Sequence, residues 1–147
     1  MLSEEAKKAL EVSSSIKAGQ VYRMRLTEEE GVKPKHKEND GRDKFFIVLG
    51  RDKAGTIGFV LINSSINKNL PQQIRDLHSP ILASKYRFLK YDSFVDCHEL
   101  KEIKEAKIRP ENIVGELETE DLDIIKKTLV EDSPVVTTKQ LKRFGLR

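Results

Sequence analysis

Cys97 and His98 stand side by side, and Cys97 is the chain's only cysteine. A thiol next to an imidazole could form a nucleophile and its base, because the imidazole can accept the thiol proton. Both side chains are also ligands that zinc prefers. A zinc site would need more donors, and His36 and His78 are the remaining histidines.

The strand expected around this pair argues against both kinds of chemistry. The stretch DSFVDC predicts a strand over 92–97, in which side chains alternate between the two faces of the sheet. The side chain of Cys97 then lies on the same face as that of Val95, whereas His98 shares the opposite face with Asp96 if the strand continues. Neighbours that point apart cannot easily share a proton or a metal ion. The sequence therefore favours an unreactive Cys97, buried like a small apolar side chain.

A second group of candidates lies in the polar segment 27–43, which has glycine, proline and charge but no apolar periodicity. A loop this long in a compact domain is usually functional or disordered. Within it, His36 stands between Lys35 and Lys37 in the stretch KPKHK. A histidine exchanges protons near neutral pH, so His36 is a candidate acid or base beside two cations. An exposed loop histidine with no catalytic role is the alternative.

The stretch QVYRMRL predicts a strand over 20–26, because apolar and polar side chains alternate in it. Its apolar face consists of Tyr22, Met24 and Leu26. Arg23 and Arg25 fall on the opposite, wet face. There they could contact the phosphates of a nucleic acid, or they could be ordinary exposed charges.

Apolar runs and turn signals predict the elements that must position these residues. KFFIVLG and TIGFVLIN predict a buried hairpin of strands over 44–50 and 56–63, joined by the turn RDKAG. Two further strands are expected over 84–90 and 92–97, and residues 99–103 could extend the second. A helical turn is expected within 64–80. Helices are expected over 3–17 and over 119–132, the latter with Thr119 as its N-cap, and a small helix over 138–146. Short strands with helices before and after them indicate a mainly β fold with α, as a small bent sheet or barrel.

Composition sets broad limits on function. The chain has 147 residues, enough for one domain, and 35% of them are charged, with a formal net charge of +3. That charge is too small to argue for nucleic acid by itself. One cysteine excludes an intrachain disulfide framework. The apolar runs are too short to span a membrane, and the first residues do not resemble a signal peptide, so we expect a cytoplasmic protein without membrane partners.

Five stretches resemble, in order and spacing, the segments of the MazF/PemK (Kid-like) toxin family over residues 19–130. GQVYRMRL is similar to the opening strand of that family. GRDKFFIVLG is similar to its Gly-rich turn and second strand, and TIGFVLINSS to the strand that follows. LKYDSFVDCHELKEI resembles the late strand, and ENIVGELETEDLDIIKKTLV the closing segment with its acidic-capped helix.

The resemblance implies a small SH3-like barrel of the MazF/PemK/CcdB type that forms a homodimer. It also implies a toxin of a type II toxin–antitoxin system, an endoribonuclease that cleaves single-stranded RNA without metal or cofactor and is masked by a cognate antitoxin protein. The chain would then comprise an N-terminal helical extension (1–18), the barrel domain (19–132) and a basic C-terminal extension (133–147).

The resemblance also implies site residues. The family has an Arg before the second strand, which Lys44 matches best with Arg42 as a nearby substitute, and a Thr or Ser after the third. The family's Arg-Pro pair is absent, since Phe45 follows Lys44. His78 is expected to pack structurally ahead of a strand. The candidate catalytic residues are Arg42, Lys44, Asn63, Ser64 and His36, and the candidate RNA-binding residues are Arg23, Arg25, Lys35, Lys37 and Ser65, with no metal ligand.

Two alternatives remain open. The absence of the Arg-Pro pair favours a non-catalytic barrel of the same lineage that binds nucleic acid or a protein partner. A third reading is a structural dimer subunit whose terminal helices dock a partner. The basic loop with His36 favours the endoribonuclease.

Overall fold

A computed structural model describes residues 3–4, 16–34 and 41–147. Most of the helix predicted over 3–17 lies outside these residues, as do Lys35, His36 and Lys37. Within the described ranges, no helix has the length and apolar character to cross a membrane.

Seven strands of the described residues form one antiparallel sheet. They are β1 (Gln20–Thr27), β2 (Gly41–Arg51), β3 (Thr56–Asn63), β4 (His78–Ile81), β5 (Ser93–Asp96), β6 (Lys101–Lys104) and β7 (Ile113–Glu116). The helices are α1 (Gln72–Arg75), α2 (Thr119–Asp132) and α3 (Thr138–Arg143), with 3₁₀ turns at Glu28–Glu30, Glu105–Lys107 and Pro110–Asn112. The mainly β class with a few helices is as predicted.

The strands pair in the order β4-β5-β3-β2-β1-β7, and β6 pairs separately with β3. Among the described residues this path does not return from β7 to β4, so the sheet is not closed into a barrel. β3 has two successive partners along one edge. Its first half, Thr56–Phe59, pairs with β6, and its end at Ile62 and Asn63 pairs with β5.

The β2–β3 hairpin is buried on both faces, which explains why its sequence is apolar almost without interruption. Phe46 and Phe59 face one core cluster, where their ring centroids are 4.8 Å apart. Ile47 and Val60 face the other cluster, on which α2 packs. A strand with one wet face would alternate instead. The hairpin predicted over 44–50 and 56–63 is confirmed, with β2 starting earlier, at Gly41.

α2 and the end of the C-terminal helix α3 pack on the second of these clusters. α2 buries Ile125 and Leu129 there, and its predicted range of 119–132 is confirmed. The predicted N-cap at Thr119 is wrong, because the cap position is Glu118, whose side chain makes no capping hydrogen bond. α3 confirms the expected terminal helix, and Phe144 at its end is buried in the same cluster.

Two expectations about the smaller elements are wrong. Residues 84–90 form turns rather than a strand, because Tyr86 and Leu89 both turn into the core from a non-extended backbone. Segment 99–103 does not extend β5, since the chain turns after Asp96 and forms β6 on another part of β3. The helical turn expected within 64–80 is confirmed as α1, and the same segment also contains the start of β4.

Candidate functional site

A polar cleft of about 430 Å³ lies where β2 begins and β3 ends. The antiparallel register pairs Phe45 with Ile62, so the residues just beyond that pair face each other across the strand ends. The cleft brings together five residues that the sequence nominated: Arg42, Lys44, Asn63, Ser64 and Ser65. β4 and β5 contribute His78 and Asp96 to the same walls.

Lys44 and Asn63 meet in this cleft. The Lys44 Nζ donates to the Asn63 Oδ1 at 2.5 Å. Burial of the ammonium group, followed by the positive charge of Arg42, lowers the pKa of Lys44 to about 8, although the carboxylate of Asp96 acts in the opposite direction. Lys44 can therefore exist as a neutral amine at mildly alkaline pH, which an ordinary lysine cannot.

A second cleft, of about 330 Å³, adjoins the first and shares Arg42, Lys44 and Ser64 with it. Its walls carry Arg23 together with aromatic side chains, of which Tyr91 is 69% exposed. The other aromatic walls are Phe45 and Phe88, with ring centroids 5.7 Å apart.

Arg23 belongs to this aromatic cleft, since its guanidinium lies 5.7 Å from the centroid of the Phe45 ring. Arg25 does not line either cleft. It is paired in register with Asp43 and lines a separate depression together with Glu111. Arg23 lines this depression as well, so the two predicted arginines share one surface, and of the two only Arg23 also reaches the aromatic cleft.

His78, Asp96 and His98 form a cluster at the wall of the polar cleft. The sheet register pairs His78 with Asp96 directly. His78 Nδ1 donates to the Ile74 carbonyl oxygen at 3.0 Å, and His78 Nε2 lies 3.7 Å from the Asp96 Oδ1. His98 Nδ1 is hydrogen-bonded to the same Asp96 oxygen, and the two imidazole centroids are 6.2 Å apart.

Sequence reasoning missed this cluster because it missed β4. The spacing of Asp96 and His98, two residues apart on a predicted strand, already placed their side chains on one face. Without β4, nothing indicated that His78 would lie against that face.

Cys97 takes no part in the cluster. Its side chain is buried on the opposite face, in the core cluster that also contains Val95, as predicted. Its Sγ donates to the Val95 carbonyl oxygen at 3.7 Å. Burial, followed by the negative charge of Asp96, raises the pKa of the Cys97 thiol to about 12. A thiol in that state is a poor nucleophile at neutral pH.

A scan against protein-family models and a search of curated proteins both found no match to the chain.

Proposed function

We propose that the chain is a toxin-type endoribonuclease of the MazF/PemK lineage that cleaves single-stranded RNA without a metal ion. The observation that carries the proposal is Lys44, a half-buried lysine with a pKa near 8 beside Arg42 in a polar cleft. Perturbed lysines in clefts mark sites of proton transfer more often than ordinary surface lysines do.

RNA cleavage by the neighbouring 2′-hydroxyl requires a base, an acid and a stabiliser of the phosphorane. Neutral Lys44 would accept the 2′-hydroxyl proton as the 2′-oxygen bonds to phosphorus. The bond from phosphorus to the 5′-oxygen then breaks, that oxygen takes a proton from water, and the hydroxide so formed takes the proton from Lys44. The products are a 2′,3′-cyclic phosphate and a 5′-hydroxyl end.

Arg42 would hold the non-bridging phosphate oxygens, because its planar guanidinium can donate two parallel hydrogen bonds to them. The hydroxyl groups of Ser64 and Ser65 and the amide of Asn63 line the same cleft and supply neutral donors. These donors would orient the phosphate without competing for the base proton.

The aromatic cleft would bind the RNA next to the scissile phosphate. Single-stranded RNA is bound by cations along its backbone and by aromatic side chains on which its bases stack. Arg23 and Lys90 supply cations there, and exposed Tyr91 supplies a stacking surface. The two clefts share Arg42 and Lys44, so one RNA strand could occupy both, with its bases stacked in the aromatic cleft and the scissile phosphate in the polar cleft.

The remaining features of the proposal come from the family resemblance. We propose that the bent sheet derives from an SH3-like barrel, that the chain forms a homodimer, and that a cognate antitoxin covers the RNA-binding clefts. Such a toxin acts in the cytoplasm.

Binding of RNA without cleavage is the second candidate function. It is favoured by Phe45 in place of the family's proline and by the hydrogen bond that engages the Lys44 amine with Asn63. In that case the clefts would bind RNA but leave it intact.

Incubation of the purified full chain with a long single-stranded RNA in EDTA tests the proposal. We expect cleavage that accelerates as the pH rises through about 8, where Lys44 loses its proton. The double variant Arg42→Ala/Lys44→Ala should cleave at least about a hundredfold more slowly, as typical of losing an acid–base group.

A matched control is Lys127→Ala/Lys139→Ala, which removes two exposed positive charges from α2 and α3. It should cleave like the wild type. Intact RNA with wild-type protein, or equal rates for the two double variants, would contradict the nuclease. Retained RNA binding with no cleavage would support the second candidate.

A further inference from the structure

The cluster of His78, Asp96 and His98 offers three metal-ligating atoms that lie within 4.8 Å of one another. We propose that these three side chains bind a divalent transition-metal ion, with Zn²⁺ as the best match. Two imidazole nitrogens and one carboxylate oxygen form a donor set that suits Zn²⁺ and leaves coordination positions open. The proposal is independent of the nuclease, which is tested without metal.

His78 has the ring orientation that a metal ligand requires. A carbonyl oxygen can only accept, so the hydrogen bond to Ile74 places a proton on Nδ1. Nε2 of the neutral ring then presents its lone pair toward Asp96. Histidine ligands are commonly held in this way, by an acceptor on the nitrogen away from the metal.

His98 has the complementary arrangement. Its Nδ1 faces the Asp96 carboxylate, and its Nε2 lies 3.8 Å from a carboxylate oxygen of Glu99. Nδ1 is therefore the atom directed at the shared centre, while Nε2 lies toward Glu99 but beyond hydrogen-bond distance. The two histidines thus direct one nitrogen each at the same carboxylate.

The space between His78 and Asp96 is suited to a cation. His78 Nε2 and the Asp96 Oδ1 face each other at 3.7 Å, and both can donate an electron pair to a metal ion placed between them. In this structure His98 Nδ1 donates a hydrogen bond to the same carboxylate oxygen. When Nδ1 binds the ion, the His98 ring would carry its proton on Nε2 instead.

The backbone fixes the three ligands before any ion arrives. The register of β4 and β5 sets His78 against Asp96. The carboxylate of Asp96 also accepts the backbone N–H of His98 at 3.0 Å, which ties the two ligands together. The His78 side chain is only 2% exposed, so it has little room to turn away. Metal binding would open the Asp96–His98 side-chain hydrogen bond and draw the rings slightly closer.

The open coordination positions would face the polar cleft, because His78 and Asp96 line it. Water or a phosphate oxygen could occupy them. Cys97 is not a ligand of this site, since its side chain lies in the core on the other face of β5.

Titration of the EDTA-stripped, dialysed full chain with Zn²⁺ tests the site directly, by calorimetry and without RNA. We expect one equivalent to bind. Titration with Co²⁺ should give visible absorption of a nitrogen and oxygen site without the charge-transfer band of a cobalt thiolate. A thiolate band would overturn the proposal, because it would make Cys97 a ligand.

Variants locate the site. His98→Gln should weaken Zn²⁺ binding at least about a hundredfold, and so should His78→Gln. His98 is the less buried of the two histidines, so we expect its variant to fold more readily. A circular dichroism spectrum checks the fold, and loss of Zn²⁺ binding by the folded variant supports the site. Glu111→Gln is the matched control, because it removes an exposed carboxylate that lines a different depression, and it should bind like the wild type.

No stoichiometric binding by the wild type would overturn the proposal, as would full binding by folded His98→Gln or loss of binding in Glu111→Gln. Failure of the nuclease appears instead as intact RNA in EDTA, so the two failures are distinguishable.

Discussion

Lys44 donates a hydrogen bond to Asn63 across the open end of the β2–β3 hairpin. The register that pairs Phe45 with Ile62 makes these two residues neighbours, although 19 positions separate them in the chain. The Lys44 amine is partly buried there, and because desolvation disfavours its positive charge, the pKa of Lys44 falls to about 8. This one contact positions the group on which the proposed chemistry depends.

Lys44 should make stability depend on pH in the alkaline range. Its pKa is about 8 in the folded chain and 10.5 as an ordinary value, so between these pH values the unfolded chain binds more protons. The free energy of unfolding therefore rises with pH across that window, by at most about 3 kcal/mol. Below pH 8 the cost of burying the charge is fully present. Urea denaturation from pH 7 to 10 measures the effect.

Lys44→Met removes this titration, and the comparison of variant with wild type cancels the other groups that titrate in the same range. We expect the variant to be about 1–3 kcal/mol more stable at pH 7, with the difference shrinking toward pH 10. Lys127→Met, at an exposed position of α2, should show no such trend. A difference that is constant with pH would contradict the lowered pKa.

Tyr91 should contribute stacking energy to RNA binding. Its ring is exposed at the mouth of the aromatic cleft. Tyr91→Ala should weaken binding of a short single-stranded RNA by about 1–3 kcal/mol, or roughly 5- to 150-fold in Kd, measured by fluorescence anisotropy. Tyr91→Phe keeps the stacking face and should bind like the wild type. Equal weakening by both variants would assign the effect to the hydroxyl instead.

The parts of the fold that sequence predicted are those whose pattern is local. The alternation in β1 and the periodicity of α2 each indicate an element with one buried face. The continuous apolar runs of the hairpin indicate strands that are buried on both faces. β7 carries no such signal, because Ile113 and Val114 are both exposed and the strand is held to β1 by backbone pairing. β4 is four residues long and contains Pro80, which opposes a strand assignment.

The candidate site, too, could be predicted only where local patterns specify it. Lys44, Asn63 and Ser64 meet because one hairpin brings them together, and a hairpin register is readable from sequence. Asp96 and His78 meet them only through pairings among β3, β5 and β4, which no local pattern specifies. The strand predicted over 84–90 is wrong because the spacing of its aromatic residues imitates a strand, whereas Phe88 packs on Phe45 from a turn.

Cys97 should be unreactive in the native protein. With the pKa of its thiol at about 12, only about one molecule in ten thousand is thiolate at pH 8, and the side chain is buried. Iodoacetamide should label the native chain at least about a hundredfold more slowly than the chain in urea, as measured by mass spectrometry. Ser84→Cys, which places a thiol at an exposed turn, should label rapidly without urea. Fast native labelling at Cys97 itself would contradict its burial.

Phe144 should be a major contributor to stability, although it lies near the end of the chain. It is 3% exposed, and its ring covers Gly58 of β3. Phe144→Ala should lower the free energy of unfolding by about 3–5 kcal/mol in urea denaturation, the range for a buried phenylalanine. Val135→Ala, at an exposed position before α3, should change it by less than about 0.5 kcal/mol.

The fit between Phe144 and Gly58 can be isolated with a double-mutant cycle. A Cβ at Gly58 would lie 3.0 Å from the Phe144 ring, closer than side chains normally approach. Gly58→Ala should therefore destabilise the wild type by about 1–3 kcal/mol, as overpacking does. In the Phe144→Ala background the same change fills space and should cost less or even stabilise, so the two effects are not additive. Additive effects would show that α3 does not rest on β3.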